Sequence, residues 1–222
     1  LYVFISSPVR RGPIVKKLAL TLMYLSALPP AAALAQDTGA ARLVEAARAQ
    51  IGVTVSYDPR YERLAYPGGD VPLERGVCTD VVVRAYRKLG ADLQQLVHRD
   101  MQSAWGAYPK LWQLKRPDPN IDHRRVPNLA TFFTRHGKSM TPARDGAAYQ
   151  AGDVVTWMLP GNLPHIGIVA GQRSAAGVPL VIHNIGRGTR IDDSLFAYPL
   201  TGHYRWNPAA QNGARAAVSA SR

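Results

Sequence analysis

The sequence predicts an α+β fold in one domain, with N-terminal helices packed on an antiparallel β-sheet. Three observations predict it. Up to Phe133, apolar residues recur at helical spacing. After residue 150 they fall into short β-branched runs separated by glycine and proline. No repeat period or linker-like block interrupts residues 40–206. Helices first and strands later is the order of an α+β domain rather than of alternating parallel units.

The composition narrows the class further. The chain has 222 residues, of which 46% are hydrophobic and 19% charged. That mixture excludes wholesale disorder and collagen-like repeats. A single cysteine excludes an intramolecular disulfide framework and any Cys-rich zinc site.

Residues 1–35 read as an address. They carry Arg10, Arg11, Lys16 and Lys17 and no acidic residue. The apolar run Leu18 to Leu28 follows, then Pro29-Pro30 and the small-residue stretch ending Ala33-Leu34-Ala35. This is the layout of a Sec-type secretory signal peptide, with cleavage expected before Gln36. The apolar run is too short to span a bilayer comfortably, so no stable membrane anchor is expected after cleavage. The expected location is the periplasm or outside the cell. Removing the four positive charges takes the formal charge from +12 to 12 − 4 = +8. A basic exported protein suits an anionic envelope: cell-wall polymer, phospholipid headgroups or acidic peptides. No zinc finger, basic helix or interleaved basic-aromatic motif points to nucleic acid.

The elements follow in order. Asp37 or Thr38 can cap a first helix over Ala40 to Ile51, with Leu43, Val44, Ala47 and Ile51 on one face. Residues 53–77 are rich in turn formers. A second helix begins at Cys78 with the stripe Val81, Val82, Ala85, Tyr86 and Leu89, and Gly90 ends it. A third spans Leu93 to Ala107 and turns Leu96, Val97, Met101 and Trp105 inward. Residues 108–127 form an irregular stretch, and a short fourth helix follows from Asn128. Strands are expected at Asp153 to Leu159, His165 to Gly171, Pro179 to Gly186 and 198–206. The tail 207–222, rich in Ala, Ser, Gly and Asn, is expected to be flexible.

Cys78 opens an amphipathic helix, where unpaired N–H groups and the dipole favour a thiolate, and a thiolate there is a ready nucleophile. The alternative is a small buried hydrophobe. His165 stands at a strand mouth, where its ring can take the thiol proton and return it to a leaving amine. If the two following strands form a hairpin, His183 approaches His165 and orients it. Asn184 faces the other side of the same strand, so only one of the pair serves.

The phrases GVCTDVVVRAYRKLG, QAGDVVTW, HIGIVAG and VIHN resemble the NlpC-type branch of the papain-like cysteine peptidases, which cleave cell-wall peptides. That family usually reads Asp-Cys-Ser-Gly around its cysteine. This chain departs from it with Val77-Cys78-Thr79-Asp80. YPGGDVP, GVCTDVV, IDHRRVPNL, GDVVTW, HIGIV, HNIG and GHYRW resemble, across residues 40–206, an exported bacterial family of unassigned function in that superfamily. The resemblance implies a papain-like (NlpC-type) core with Cys78 as nucleophile, His165 as base and His183 as orienting residue. It also implies an oxyanion hole that uses the Cys78 N–H, and a nearby tyrosine. Tyr57 is the candidate, with Tyr61 and Tyr66 as rivals.

Other groups have plainer readings beside functional ones. Arg124 or Arg125 can hold a substrate carboxylate, or can fix a loop by pairing with Asp122. Asp80 can complement the helix dipole or reach Arg124 across a cleft. Asp153 shapes the start of a strand. No HExxH-like ligand spacing is present, and neither a metal nor a cofactor is expected. Trp105, Trp112, Trp157 and Trp206 can form a sugar platform or simply line core and cleft. These readings together point to an exported cysteine hydrolase acting on an amide bond, with peptidoglycan or its peptide fragments as partner. An amidase or acyltransferase on a small or lipid-linked acyl compound, and a non-catalytic wall-binding protein, are the alternatives.

Overall fold

A computed structural model describes residues 31–209. The expected signal segment lies outside the described residues as far as residue 30, and so does the expected flexible tail from residue 210. Helix α1 is described over Ala31–Arg48, so Asp37 and Thr38 fall within it rather than before it. The Ala-rich run from Ala31 has high helix propensity. Leu43, Val44 and Ala47 are buried as their spacing predicts, whereas Ile51 lies beyond the helix end and is exposed.

A two-residue parallel pair, β1 (Ser56–Tyr57) and β2 (Arg75–Gly76), leads into α2 (Cys78–Lys88). The Asp80 carboxylate accepts from the Val77 N–H at 2.7 Å and ties down the turn that begins α2. Gly90, at φ +82°, ends it, with its N–H donating to the Arg87 carbonyl at 3.0 Å. Helix α3 (Leu93–Ser103) is capped by Asp92, whose side chain accepts from the Gln94 N–H. It stops four residues before the expected end. Ser103 Oγ turns back to the Asp100 carbonyl at 3.0 Å, and Trp105–Ala107 form a 3₁₀ turn. Trp105 is therefore only partly buried. Helix α4 (Val126–His136) carries Pro127 in its first turn, where a missing N–H breaks no helical bond.

The sheet has six strands in the order β3-β8-β4-β5-β6-β7, every neighbouring pair antiparallel. They are β3 (Lys138–Met140), β4 (Val154–Leu159), β5 (Leu163–Arg173), β6 (Pro179–Asn184), β7 (Thr189–Asp192) and β8 (Leu200–Arg205). The short strands β3 and β7 carry no alternating apolar pattern and form as edges paired to stronger neighbours. Ile166, Ile168, Ala170 and Ile182 join the core built with α1, α2, α3 and α4. Val155, Trp157, Val169, Val181 and Leu195 form a second cluster. Alternation along the strands places these two sets on opposite faces of the sheet.

Candidate active site

Cys78 is the first residue of α2 and is 3% exposed. Backbone N–H groups of Ile166, Thr79 and Cys78 itself face its sulfur. Burial pushes the thiol up to about 12, and the Asp80 charge adds to this, while those N–H groups pull the other way. Desolvation therefore outweighs the helix start, and the resting group is a thiol. The contact with Ile166 brings the thiol to β5, one residue from His165.

His165 pairs across the sheet with Trp157, and their rings lie 5.5 Å apart. The hairpin of β5 and β6 brings the two histidines together: His165 Nε2 lies 2.8 Å from His183 Nδ1. Gly167 permits that approach. A Cβ there would meet Val181 Cγ1 at 2.7 Å, the Ile182 carbonyl at 3.0 Å and His183 Cβ at 3.1 Å. Burial pushes His165 down to about 3, with the neighbouring His183 adding to the effect, so its imidazole is neutral at pH 7. Nδ1 of His165 takes no part in the pairing with His183.

The line of hydrogen bonds continues where the sequence gives no warning. His183 Nε2 lies 2.8 Å from Asp192 Oδ1 and 3.1 Å from Ser194 Oγ. Arg190 Nε donates to Asp192 Oδ2 at 2.8 Å. Burial disfavours the Asp192 charge, but hydrogen bonds from His183, Arg190 and Ser194 outweigh it and hold the carboxyl below the usual range. Only the register of β7 against β6, with His183 opposite Arg190, brings Asp192 to this histidine.

Asn184 faces away from the histidine pair, as the alternation requires. Its Nδ2 donates to the carbonyls of Gly76, at 3.0 Å, and Ser56, at 3.2 Å. It thus clamps β1 and β2, the segments that carry Tyr57 and lead to Cys78, onto the sheet. Tyr57 and Cys78 line the same pocket, and desolvation of the hydroxyl raises the phenol above its ordinary range, with the neighbouring Cys78 adding to the effect. Tyr61 instead bonds Asp118, and Tyr66 packs edge-on against His98.

The three remaining candidates separate into two kinds. Asp80 and Arg124 meet each other, with Nε to Oδ1 and Nη2 to Oδ2 both at 3.0 Å. The Arg124 side chain is 2% exposed and the Asp80 side chain 4%. Arg124 also donates to the carbonyls of Arg60 and Asp58. The structure thus gives both residues a positioning geometry: the pair joins the Cys78 turn to the 108–127 loop and the segment after Tyr57. Arg125 differs. Its guanidinium lies 4.3 Å over the Trp112 ring and makes a long 3.4 Å contact with Asp122. Trp112 adopts φ +58°, uncommon for a residue with a side chain, and is half exposed.

Tyr57, Cys78, Trp112, Arg124, Arg125 and Pro164 are among the residues lining an open pocket of about 170 Å³. The 108–127 stretch therefore supplies one wall of the cleft. Trp157 and Trp206 are core residues, so the four tryptophans form no common platform. Among the described residues, no group of three or more His, Cys, Asp or Glu side chains is arranged to hold a metal ion.

Fold and site together define an α+β protein with a buried cysteine at a helix start and two histidines paired across the β5–β6 hairpin. Residues 44–206 match the family described as "Domain of unknown function (DUF1287)", and the chain belongs to that family. It is 52% identical over 180 residues to "Uncharacterized protein YijF" of Escherichia coli (strain K12), covering 81% of this chain and 88% of that one. Among solved structures it is similar to NlpC1 from Trichomonas vaginalis, with TM-score 0.42, 14% identity and 76% of this chain covered. NlpC2 from the same organism gives TM-score 0.38, 15% identity and 74% coverage. The chain spans 44% of the first structure and 46% of the second.

Proposed function

We propose that the chain is an exported cysteine hydrolase that cleaves an amide bond in peptidoglycan stem peptides. One observation carries this reading. The only thiol in the chain opens α2, which packs on β5, and β5 carries a histidine whose Nε2 lies 2.8 Å from a second histidine. The NlpC-type phrases around these residues, the basic charge and the leader-like stretch before Gln36 support the wall as substrate.

Ionising a thiol of pKa about 12 on its own at pH 7 costs on the order of 7 kcal/mol. Proton transfer therefore accompanies attack. The S–H bond of Cys78 breaks, its proton goes to His165 Nδ1, and Sγ bonds the amide carbon. The Cys78 N–H and the Tyr57 hydroxyl donate to the oxyanion. His165 then protonates the leaving amine, and an acyl group remains on Cys78. Water then loses a proton to His165 as its oxygen bonds the acyl carbon, the C–Sγ bond breaks to release the acid, and the proton on His165 returns to Cys78 Sγ. Arg125, the pocket arginine held by Asp122 through a single 3.4 Å contact, takes a carboxylate of the substrate.

The test is mass analysis of products from purified sacculi incubated with the protein or with Cys78→Ala. New peptide termini made only by the wild type are expected. Equal products from both would sink the mechanism. A binding role without catalysis is a second reading, favoured by the burial of Cys78. It requires sacculus binding by both proteins and no product from either. Products from soluble acyl compounds alone would move the substrate away from intact wall.

A further inference from the structure

We infer that Asp192 is a further positioning residue of this site: it sets the proton positions of both imidazoles and leaves the base lone pair on His165 Nδ1. The inference rests on the hydrolase reading for its purpose, but not for its geometry. The geometry is an unbroken line of contacts, from His165 Nε2 to His183 Nδ1 at 2.8 Å and from His183 Nε2 to Asp192 Oδ1 at 2.8 Å.

Hydrogen-bond inventory decides the direction. An ionised carboxylate only accepts, so His183 Nε2 carries the proton on that side. With the inferred single N–H of His183 on Nε2, its Nδ1 is the acceptor. The donor to it is then His165 Nε2–H, and a neutral His165 keeps a bare Nδ1. Arg190 has a role in this. By pairing with Asp192 Oδ2 at 2.8 Å it already meets the carboxylate's charge, so His183 is not required as the counter-cation. Ser194 stands 3.1 Å from His183 Nε2 and holds the same junction. A charged His183 would donate from both nitrogens and force the opposite tautomer on His165, so the arrangement is decisive for which nitrogen acts.

During attack the thiol proton passes to His165 Nδ1. The imidazolium keeps its Nε2–H bond to His183, Asp192 stays ionised, and the new positive and negative charges balance. Asp192 touches neither substrate nor sulfur. It acts through His183.

The experiment is ¹⁵N-histidine NMR of the full chain, read through two-bond correlations, with His165→Gln and His183→Gln to assign the rings. Wild type should show a protonated Nε2 and a bare Nδ1 on both histidines. Asp192→Ala should lose that single pattern at His183 and slow iodoacetamide alkylation of Cys78 about tenfold at pH 7. Asp192→Glu should restore both readouts. A proton on Nδ1 of His165 in the wild type overturns the inference without any variant. So does an Asp192→Ala protein that folds with unchanged tautomers and alkylation. Equal sacculus products from wild type and Cys78→Ala would remove the hydrolase reading and leave the tautomer result standing.

Discussion

Asp80 and Arg124 hold each other through two parallel hydrogen bonds of 3.0 Å, with Asp80 in the same first turn of α2 that carries the thiol of Cys78. The same carboxylate caps the start of α2 through the Val77 N–H. One ion pair therefore joins the helix that presents the thiol to the loop that walls the cleft. Buried at 2% and 4% exposure, it tolerates loss of both charges better than loss of one.

Arg124→Met should lower stability by about 3–5 kcal/mol, because it strands a buried carboxylate. Adding Asp80→Asn should recover part of that loss. Urea denaturation of the two proteins measures it. A single variant within about 0.5 kcal/mol of wild type would show that the pair is solvated and not a strut.

Tyr57 reaches the thiol from β1, outside the main sheet. Tyr57→Phe keeps the ring and removes only the hydroxyl. If that hydroxyl donates to the oxyanion, kcat should fall about 100-fold with KM little changed. Steady-state kinetics on whichever wall fragment is released reads the split. A change confined to KM would make Tyr57 a binding wall instead.

Stability should fall on acidification in two stages. Burial pushes both His123 and His165 down to about 3, with the charge of Arg124 adding to the effect at His123. Their unfolded forms take protons near about pH 6.5. Below that pH the unfolded chain binds more protons, so the contribution is complete above about 6.5 and is lost as pH falls towards the folded values. The slope is about 1.4 kcal/mol per pH unit for each histidine. Asp122 opposes one of them. Burial pushes its carboxyl up to about 6, so the folded state keeps a proton that the unfolded chain releases at about pH 4. The expected loss is therefore about one histidine's worth between pH 6 and 4, and steeper below. Asp100, pulled down to about 2 by Arg135, Tyr108 and His136 against its burial, steepens the second stage. Urea midpoints at pH 7, 5 and 3.5 read the profile. His123→Gln should flatten it, and an unchanged slope in that variant would refute the assignment of this loss to His123.

Helices α2 and α4 were legible because each carries its own apolar stripe; Gly90 marked the end of α2, whereas α4 begins at Val126, two residues before the expected Asn128, with Pro127 in its first turn. Strands β4, β5, β6 and β8 were legible from β-branched runs. Strands β3 and β7 were not, since Lys-Ser-Met and Thr-Arg-Ile-Asp have no pattern apart from their partners. The end of α3 was missed because Ser103 diverts the chain through a bond to Asp100 that competes with the helix. Arg124 and Arg125 are neighbours of one residue type, and no local pattern separates a saturated guanidinium from one left facing a pocket.

The sequence by itself determined the single thiol at a helix start, the order cysteine, histidine, histidine, and the helix-then-strand succession, because these depend on residue type and short-range periodicity. Tertiary structure decided which groups meet: the thiol with the Ile166 amide, His183 with Asp192, Asp80 with Arg124. Those meetings follow from strand register and from burial, and both are set by packing between segments distant in the chain, which no local spacing records.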